Sequence, residues 1–178
     1  MVIEIRTAGA ADAGVLAELA AATFALACPP HTTAAAIAAF LRDVLAEANF
    51  DDYLADPQRM LFLAEDPDTG LSLGYTMLVF GDPRDPEVLA AIGIRPTVEL
   101  SKCYLRAEGH GRGVAAALMS ATLDAARARG ARGAWLGVNQ ENARAIRFYE
   151  KHGFARVGTK HFLVGDRYED DFVLERTL

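Results

Sequence analysis

The spacing of apolar residues predicts one strand and then three helical segments in the first third of the chain. Apolar and polar positions alternate over residues 1–7, as in a strand. Over 15–26 the apolar residues recur every three or four positions, which predicts a helix that Pro29 and Pro30 end. A similar stripe over 37–45 predicts a second helix, and 49–55 a short helical turn.

The period then changes to that of strands. Two apolar runs, 60–64 and 71–80, are separated by the turn-forming residues 66–70, which predicts an antiparallel hairpin. Residues 81–96 are rich in Pro, Asp and Gly and predict a long irregular connection. A fourth strand is expected over 97–105.

Helices and strands alternate in the second half. A helix over 113–129, a strand over 133–138, a helix over 142–152 and strands over 154–160 and 168–178 are expected. This order predicts parallel strand pairing in the second half, beside an antiparallel first half. The fold class is therefore α/β, a mixed twisted sheet of about seven strands flanked by helices.

Composition indicates an ordinary globular chain, read as a single domain over residues 1–178. The 178 residues are 52% hydrophobic and 24% charged, which excludes disorder. The net charge of −6 argues against a nucleic-acid partner. Cys28 and Cys103 form no metal or disulfide pattern, and no signal peptide or membrane span opens the chain. We therefore expect a cytoplasmic protein without a membrane partner and without a metal.

The glycine-rich stretch Gly109-His110-Gly111-Arg112-Gly113-Val114-Ala115 lies between the fourth strand and a long helix. Glycines allow close backbone approach, and the first turn of a helix offers unpaired N–H groups at its positive end. This combination is typical of a pyrophosphate site. The same turn is also common as a plain tight connection.

A dinucleotide-binding oxidoreductase is one alternative for this stretch. Gly111, Gly113 and Ala116 satisfy the GxGxxG/A spacing. That fingerprint needs an acid after the next strand to hold a ribose hydroxyl. The next strand ends at Asn139, and Glu141 is better placed to start the following helix. The oxidoreductase is accordingly disfavoured.

A second informative stretch runs from Asn142 to Phe154. Asn142, Ala145 and Tyr149 share one helical face, with room over the small alanine. In isolation these residues are a helix cap, a packing residue and a core tyrosine.

Together the two stretches resemble the GNAT superfamily of N-acetyltransferases. His110-x-x-Gly113-x-Ala115 is similar to its R/Q-x-x-G-x-G/A acetyl-CoA motif, with His110 where Arg or Gln is usual. Residues 142–154 are similar to its N-x-x-A-x-x-F-Y-x-x-x-G-F segment. The resemblance implies the GNAT fold and acetyl transfer from acetyl-CoA to a primary amine of a small molecule. Homodimers, which are common in the family, are a further expectation.

The resemblance also implies the cosubstrate site. The backbone amides of residues 111–116 would hold the pyrophosphate, and the pantetheine would enter where the fourth and fifth strands splay. The expected acetyl-CoA contacts are Leu105, His110, Gly111, Arg112, Gly113, Val114, Ala115, Ala116 and Asn142.

Two residues are expected to carry the catalysis. Tyr149 would protonate the departing thiolate, because a phenol keeps its proton at neutral pH. Glu99 would remove the proton from the amine; the alternative is a water chain that does so without Glu99. Strand alternation groups Glu99 with Ser101, Cys103 and Leu105 on a face that lines a cleft.

The acceptor is less well determined by the sequence. The segments 99–105 and 162–172 resemble spermine/spermidine acetyltransferases, so a polyamine-like acceptor is one expectation. The charge cluster Asp166, Glu169, Asp170 and Asp171 is expected at a solvated hairpin tip, and His31 at the surface. A non-catalytic acyl-CoA-binding or sensing module remains the alternative to an enzyme.

Overall fold

Six helices and seven strands make up the computed structural model, which describes residues 2–178; Met1, expected in the first strand, lies outside them. The strands are β1 (Glu4–Thr7), β2 (Arg59–Asp66), β3 (Leu71–Phe80), β4 (Thr97–Leu105), β5 (Gly133–Asn139), β6 (Ala155–Val164) and β7 (Arg167–Thr177). The helices are α1 (Ala13–Ala27), α2 (Ala34–Val44), α3 (Glu47–Ala55), α4 (Pro86–Ala91), α5 (Val114–Ala128) and α6 (Ala143–Lys151).

All seven strands form one sheet in the order β1-β2-β3-β4-β5-β7-β6. The antiparallel first half is confirmed, but the expected parallel second half is wrong except for the pair β4–β5. A two-residue turn at Gly165 and Asp166 makes β6 and β7 an antiparallel hairpin. This hairpin inserts β7 beside β5, so β6 lies at the sheet edge and never pairs with β5.

The centre of the sheet is split. β4 and β5 pair only over Thr97–Glu99 and Gly133–Trp135, and beyond that point they diverge. β4 is also irregular on its other side, where pairing with β3 skips Ser101. The divergence leaves backbone groups of β4 without a strand partner, and it opens the gap in which the functional site lies.

Helices cover both faces of the sheet. α5 and α6 pack on one face over a core that includes Leu118 and Leu136. On the other face, α1, α2 and α3 pack over a second core with Leu16 and Tyr75 at its centre. The α1 region is apolar and long enough to cross a membrane, but its Leu16, Leu19 and Phe24 are buried in this core. In all, 33% of this apolar stretch is buried inside the molecule.

The connection over 81–96 is not wholly irregular, contrary to expectation. Asp85 caps α4 by accepting a hydrogen bond from the Glu87 N–H, and Pro86 occupies the first turn. Val88 of α4 packs in a small buried cluster with Trp135 of β5. The short helix thus covers a part of the sheet that α1 and α2 do not reach.

Candidate active site

Two cavities flank the gap between β4 and β5 and meet inside the molecule. The α6 cavity, of about 420 Å³, extends from the end of β4 across the glycine-rich turn to α6. The α2 cavity, of about 380 Å³, lies beside α2 and the end of α1. The residues common to both are Ala27, Cys103, Tyr104, Asn142, Ala145 and Tyr149.

The glycine-rich turn has the geometry that the pyrophosphate prediction requires. Gly111 and Gly113 have φ angles of 75° and 78°, in the left-handed region that favours glycine. A Cβ at either position would meet no atom within 4 Å, so both face open space. The N–H groups of Gly111 and of Gly113 to Ala116 donate to no other group within residues 2–178. These free donors at the start of α5 fit a phosphate ligand.

Some residues of this turn can contact a ligand through their side chains, and others only through their backbone. Leu105, His110 and Ala115 line the α6 cavity with their side chains. Val114 is buried in the core and Ala116 faces outward, so only their backbone N–H groups are available to a ligand.

Charge near the turn comes from arginines rather than from the histidine. Partial burial, with the neighbouring Arg144, lowers the pKa of His110, which favours the neutral imidazole at pH 7. Arg144 itself lines the α6 cavity, a contact that the sequence reasoning missed. The Arg112 guanidinium donates to the Glu108 carbonyl at 3.4 Å, beside the turn. Arg112 and Arg144 therefore supply the positive charge that His110 does not.

α6 presents Asn142, Ala145 and Tyr149 to the junction of the cavities. The Asn142 Oδ1 accepts a hydrogen bond from the Ala145 N–H at 3.1 Å, so this residue is the N-cap of α6. Its Nδ2 has no partner among the residues that the structure describes. Asn142 can therefore cap the helix and still donate to a ligand.

The side chains of Tyr149 and Cys103 are neighbours where the two cavities meet. Burial raises the pKa of the Cys103 thiol to about 12, and burial together with Cys103 raises the pKa of Tyr149 well above its usual value. Both groups are protonated at neutral pH. Tyr149 thus holds a proton that it can give, and Cys103 is a poor nucleophile.

Glu99 lies on a different face of β4 from the one expected. Because the β3–β4 pairing skips Ser101, Glu99 shares its face with Lys102 and Tyr104 rather than with Cys103 and Leu105. It lines the α2 cavity only. Burial raises the pKa of Glu99, partly offset by Lys102 and Lys160.

The acidic cluster was expected at a solvated hairpin tip, and this expectation is wrong. Strand alternation divides the cluster between two faces of the sheet. Asp166 and Asp170 are exposed, whereas Glu169 and Asp171 are each 6% exposed and line the α2 cavity. Burial raises the pKa of Asp171 to about 6. No local pattern in the sequence reveals this, since it depends on β7 lying between β5 and β6.

His31 is exposed, as expected, but its side chain contacts two carboxylates. Its Nε2 lies 2.6 Å from a Glu169 oxygen and its Nδ1 lies 3.5 Å from a Glu141 oxygen. The three side chains place their possible ligand atoms within 4.8 Å of one another. The contact joins the segment after α1 to β7 and to the turn before α6, at the edge of the α2 cavity.

Comparison with known proteins gives a consistent result. The profile described as "Acetyltransferase (GNAT) family" matches residues 22–154. An uncharacterized N-acetyltransferase of Mycobacterium tuberculosis is 46% identical over 167 residues, covering 94% of this chain and 98% of that protein. One from Lactobacillus delbrueckii subsp. lactis is 29% identical over 144 residues, covering 80% and 78%.

Solved structures share the fold at low identity. The PaiA N-acetyltransferase of Thermoplasma acidophilum, in complex with coenzyme A, has a TM-score of 0.78 at 19% identity and full coverage of both chains. The spermidine/spermine N-acetyltransferase SpeG of Vibrio cholerae, in complex with manganese ions, has a TM-score of 0.65 at 18% identity, covering 98% of this chain and 92% of that one.

Proposed function

The chain belongs to the GNAT family of acetyltransferases and is an acetyl-CoA-dependent N-acetyltransferase; we propose that it acetylates a primary amine of a small molecule by direct attack within a ternary complex. The observation that carries the proposal is the junction of the two cavities at Tyr149. Acetyl-CoA occupies the α6 cavity and the acceptor occupies the α2 cavity, so thioester and amine meet there.

Acetyl-CoA binding uses mainly backbone groups. The pyrophosphate lies on the free N–H groups of Gly111 and of Gly113 to Ala116, beside Arg112 and His110. The pantetheine follows β4 past Leu105, and the Nδ2 of Asn142 donates to it. This places the thioester beside Tyr149 and the unpaired backbone of β4.

The amine must lose a proton before it attacks, since a primary ammonium has a pKa of about 10 in water. Glu99 accepts that proton, through water where direct contact is not made. The raised pKa of Glu99 makes it a stronger base than an ordinary carboxylate. Asp171, whose pKa is about 6, lines the same cavity and is the second candidate.

Bond making and breaking then occur at the acetyl carbon. The amine nitrogen forms a bond to the carbonyl carbon, and a backbone N–H of β4 stabilises the oxygen that becomes negative. The C–S bond breaks, and the phenol proton of Tyr149 passes to the thiolate. The second proton that the nitrogen must lose returns through water to the Tyr149 phenolate, and Glu99 releases the first proton to solvent. The products are the N-acetyl amine and coenzyme A. The reaction as proposed is cytoplasmic and uses no metal, and homodimer formation stays a prediction.

Release of free thiol tests this function. The pure protein is incubated with acetyl-CoA and a panel of amines that includes amino acids, their amides and spermidine. We expect amine-dependent release. If no amine causes thiol release but acetyl-CoA raises the melting temperature, the protein is a binding module instead. If there is neither thiol release nor a change in melting temperature, the assignment of the glycine-rich turn is refuted.

A further inference from the structure

Lysine is rare in this chain, and its distribution is uneven. Three of the 18 basic residues are lysines, and two of them, Lys102 and Lys160, line the α2 cavity. The ammonium groups lie 5.5 Å from the centre of the Tyr53 ring and 5.1 Å from that of Phe162, respectively. Within residues 2–178, neither lysine forms a hydrogen bond or a salt bridge. Lys102 interacts with Glu99, and Lys160 with Asp171, only at distances longer than a salt bridge.

Two carboxylates are in the same situation. Glu99 and Asp171 line the α2 cavity, and neither forms a hydrogen bond or salt bridge with another described residue. Glu169 differs from them, because His31 lies 2.6 Å from it. Because these four groups form no close ion pairs with one another, their hydrogen-bonding atoms are available to a ligand. A ligand with one carboxylate and one ammonium group can bind both the two lysines and the two carboxylates.

The wall of the α2 cavity lacks a side chain at one position beside Lys160 and Asp171. Gly137 is exposed to the cavity in the middle of β5, where strands usually carry a side chain. A Cβ there would lie 3.0 Å from the Lys160 Cε and 3.3 Å from an Asp171 oxygen. The missing side chain leaves Lys160 and Asp171 accessible to a ligand from the centre of the sheet.

These observations distinguish between acceptor classes. A polyamine carries only positive charge, and each ammonium bound by Glu99 or Asp171 would lie near Lys102 or Lys160. An amino acid carries one ammonium and one carboxylate, which match the two kinds of unpaired group. The remaining wall includes the rings of Phe24, Phe40 and Phe162, which suit an apolar substituent.

We propose, resting on the proposed function, that the acceptor is an amino carboxylate, with Lys102 and Lys160 binding its carboxylate while Glu99 and Asp171 receive its ammonium group. An amino acid with an apolar side chain satisfies all three parts of the cavity. The polyamine expectation from the sequence is thereby replaced.

Matched acceptor pairs test this inference. The values of kcat/KM are measured for L-alanine, L-leucine and L-phenylalanine, for the amide of each, and for spermidine. A hydrogen bond to a charged group contributes about 1.5–3 kcal/mol, so at least one free acid should exceed its amide by about tenfold or more. The amine of an amide is less basic and so less protonated at neutral pH, which favours the amide. A preference for the acid therefore reports recognition of the carboxylate.

Lysine variants identify the groups responsible. We expect Lys102→Met and Lys160→Met each to lower the acid-to-amide ratio by about tenfold, and Lys102→Arg to restore most of it. Lys151→Met, at the exposed end of α6, is the control and should leave the ratio unchanged. Thermal unfolding of each variant shows that it is folded.

The outcomes separate the two proposals. The inference is overturned if every amide, or spermidine, has a kcat/KM equal to that of the acids. It is also overturned if the acid-to-amide ratio is unchanged in both methionine variants. In either case the proposal of acetyl transfer is unaffected. If no acceptor releases thiol, the proposed function fails, and the inference fails with it.

Discussion

The two cavities that meet at Tyr149 are built in different ways. The α6 cavity takes most of its lining from two short stretches of sequence, 103–115 and 142–149. The α2 cavity draws its lining from α1, α2 and four strands, with residues as far apart as Phe24 and Asp171. In the first, the groups proposed to bind a ligand are mainly backbone N–H groups; in the second, they are charged and aromatic side chains.

Under the proposed function, this difference means that the cosubstrate site depends on a short stretch of sequence, whereas the acceptor site depends on many separate elements. The proposed backbone site needs only glycines at Gly111 and Gly113 and a helix start, so it is encoded locally and does not depend on the side chain at His110. A side-chain site changes whenever any contributing strand or helix changes. Variants on either side of the junction should therefore affect one substrate and not the other.

Replacement at the junction itself should have the largest effect. Tyr149→Phe removes the proton donor for the thiolate, and we expect kcat to fall about 100-fold. The acetyl-CoA dissociation constant, measured by calorimetry, should change little because the ring remains. Tyr168→Phe, at a side chain that is 66% exposed, is the matched control. Unchanged turnover would remove Tyr149 from the mechanism.

The next largest effect on kcat is expected from removing the proposed base. For Glu99→Gln we expect kcat to fall about tenfold to 100-fold at neutral pH. Glu99 works as a base only when ionised and its pKa is raised, so wild-type activity should fall as pH drops through that raised value. The variant should lose this acid limb in a kcat–pH profile.

Asp171→Asn is the comparison for the base. The pKa of Asp171 is about 6, so an acid limb centred there belongs to Asp171 if this substitution removes it. Retention of the limb in Glu99→Gln, with its loss in Asp171→Asn, would assign the base to β7 instead of β4.

A variant of the glycine-rich turn should weaken the binding of acetyl-CoA and leave acceptor binding unchanged. Gly113→Ala puts a side chain on a residue with φ of 78°, which costs about 1–2 kcal/mol and reorients the free N–H groups. We expect acetyl-CoA to bind about tenfold more weakly, as measured by calorimetry. Gly9→Ala, at an extended residue with open space around it, should have no effect. Equal binding by the two variants would contradict the proposed pyrophosphate site.

The smallest effect is expected on the acceptor side. Phe40 stacks on Phe24 with ring centres 4.5 Å apart and lines the α2 cavity. Phe40→Ala removes apolar contact of about 40 Å², equivalent to about 1 kcal/mol or a fivefold rise in acceptor KM. The KM for acetyl-CoA should stay the same. Ile37→Ala, on the same helix but outside the cavity lining, tests whether the shift comes from lost stability of α2.

Much of the architecture was predictable because it depends on short-range patterns. The period of apolar residues located β1 to β5 and helices α1, α2, α5 and α6, and the crossover from β4 through α5 led to the parallel pair β4–β5. α4 was missed because Pro86 in a polar stretch is typical of a loop as well as of a first helical turn.

Short-range patterns in the sequence predict all helices except α4, the strands, the glycine-rich turn and the shared face of Asn142, Ala145 and Tyr149, since each follows from neighbours within about two helical turns. Which acids line the α2 cavity depends on the tertiary structure. The skipped pairing at Ser101 and the insertion of β7 beside β5 result from hydrogen bonds between strands far apart in the chain. Since a shift of one residue moves every strand side chain to the other face, those pairings put Glu99, Lys102 and Asp171 in one cavity.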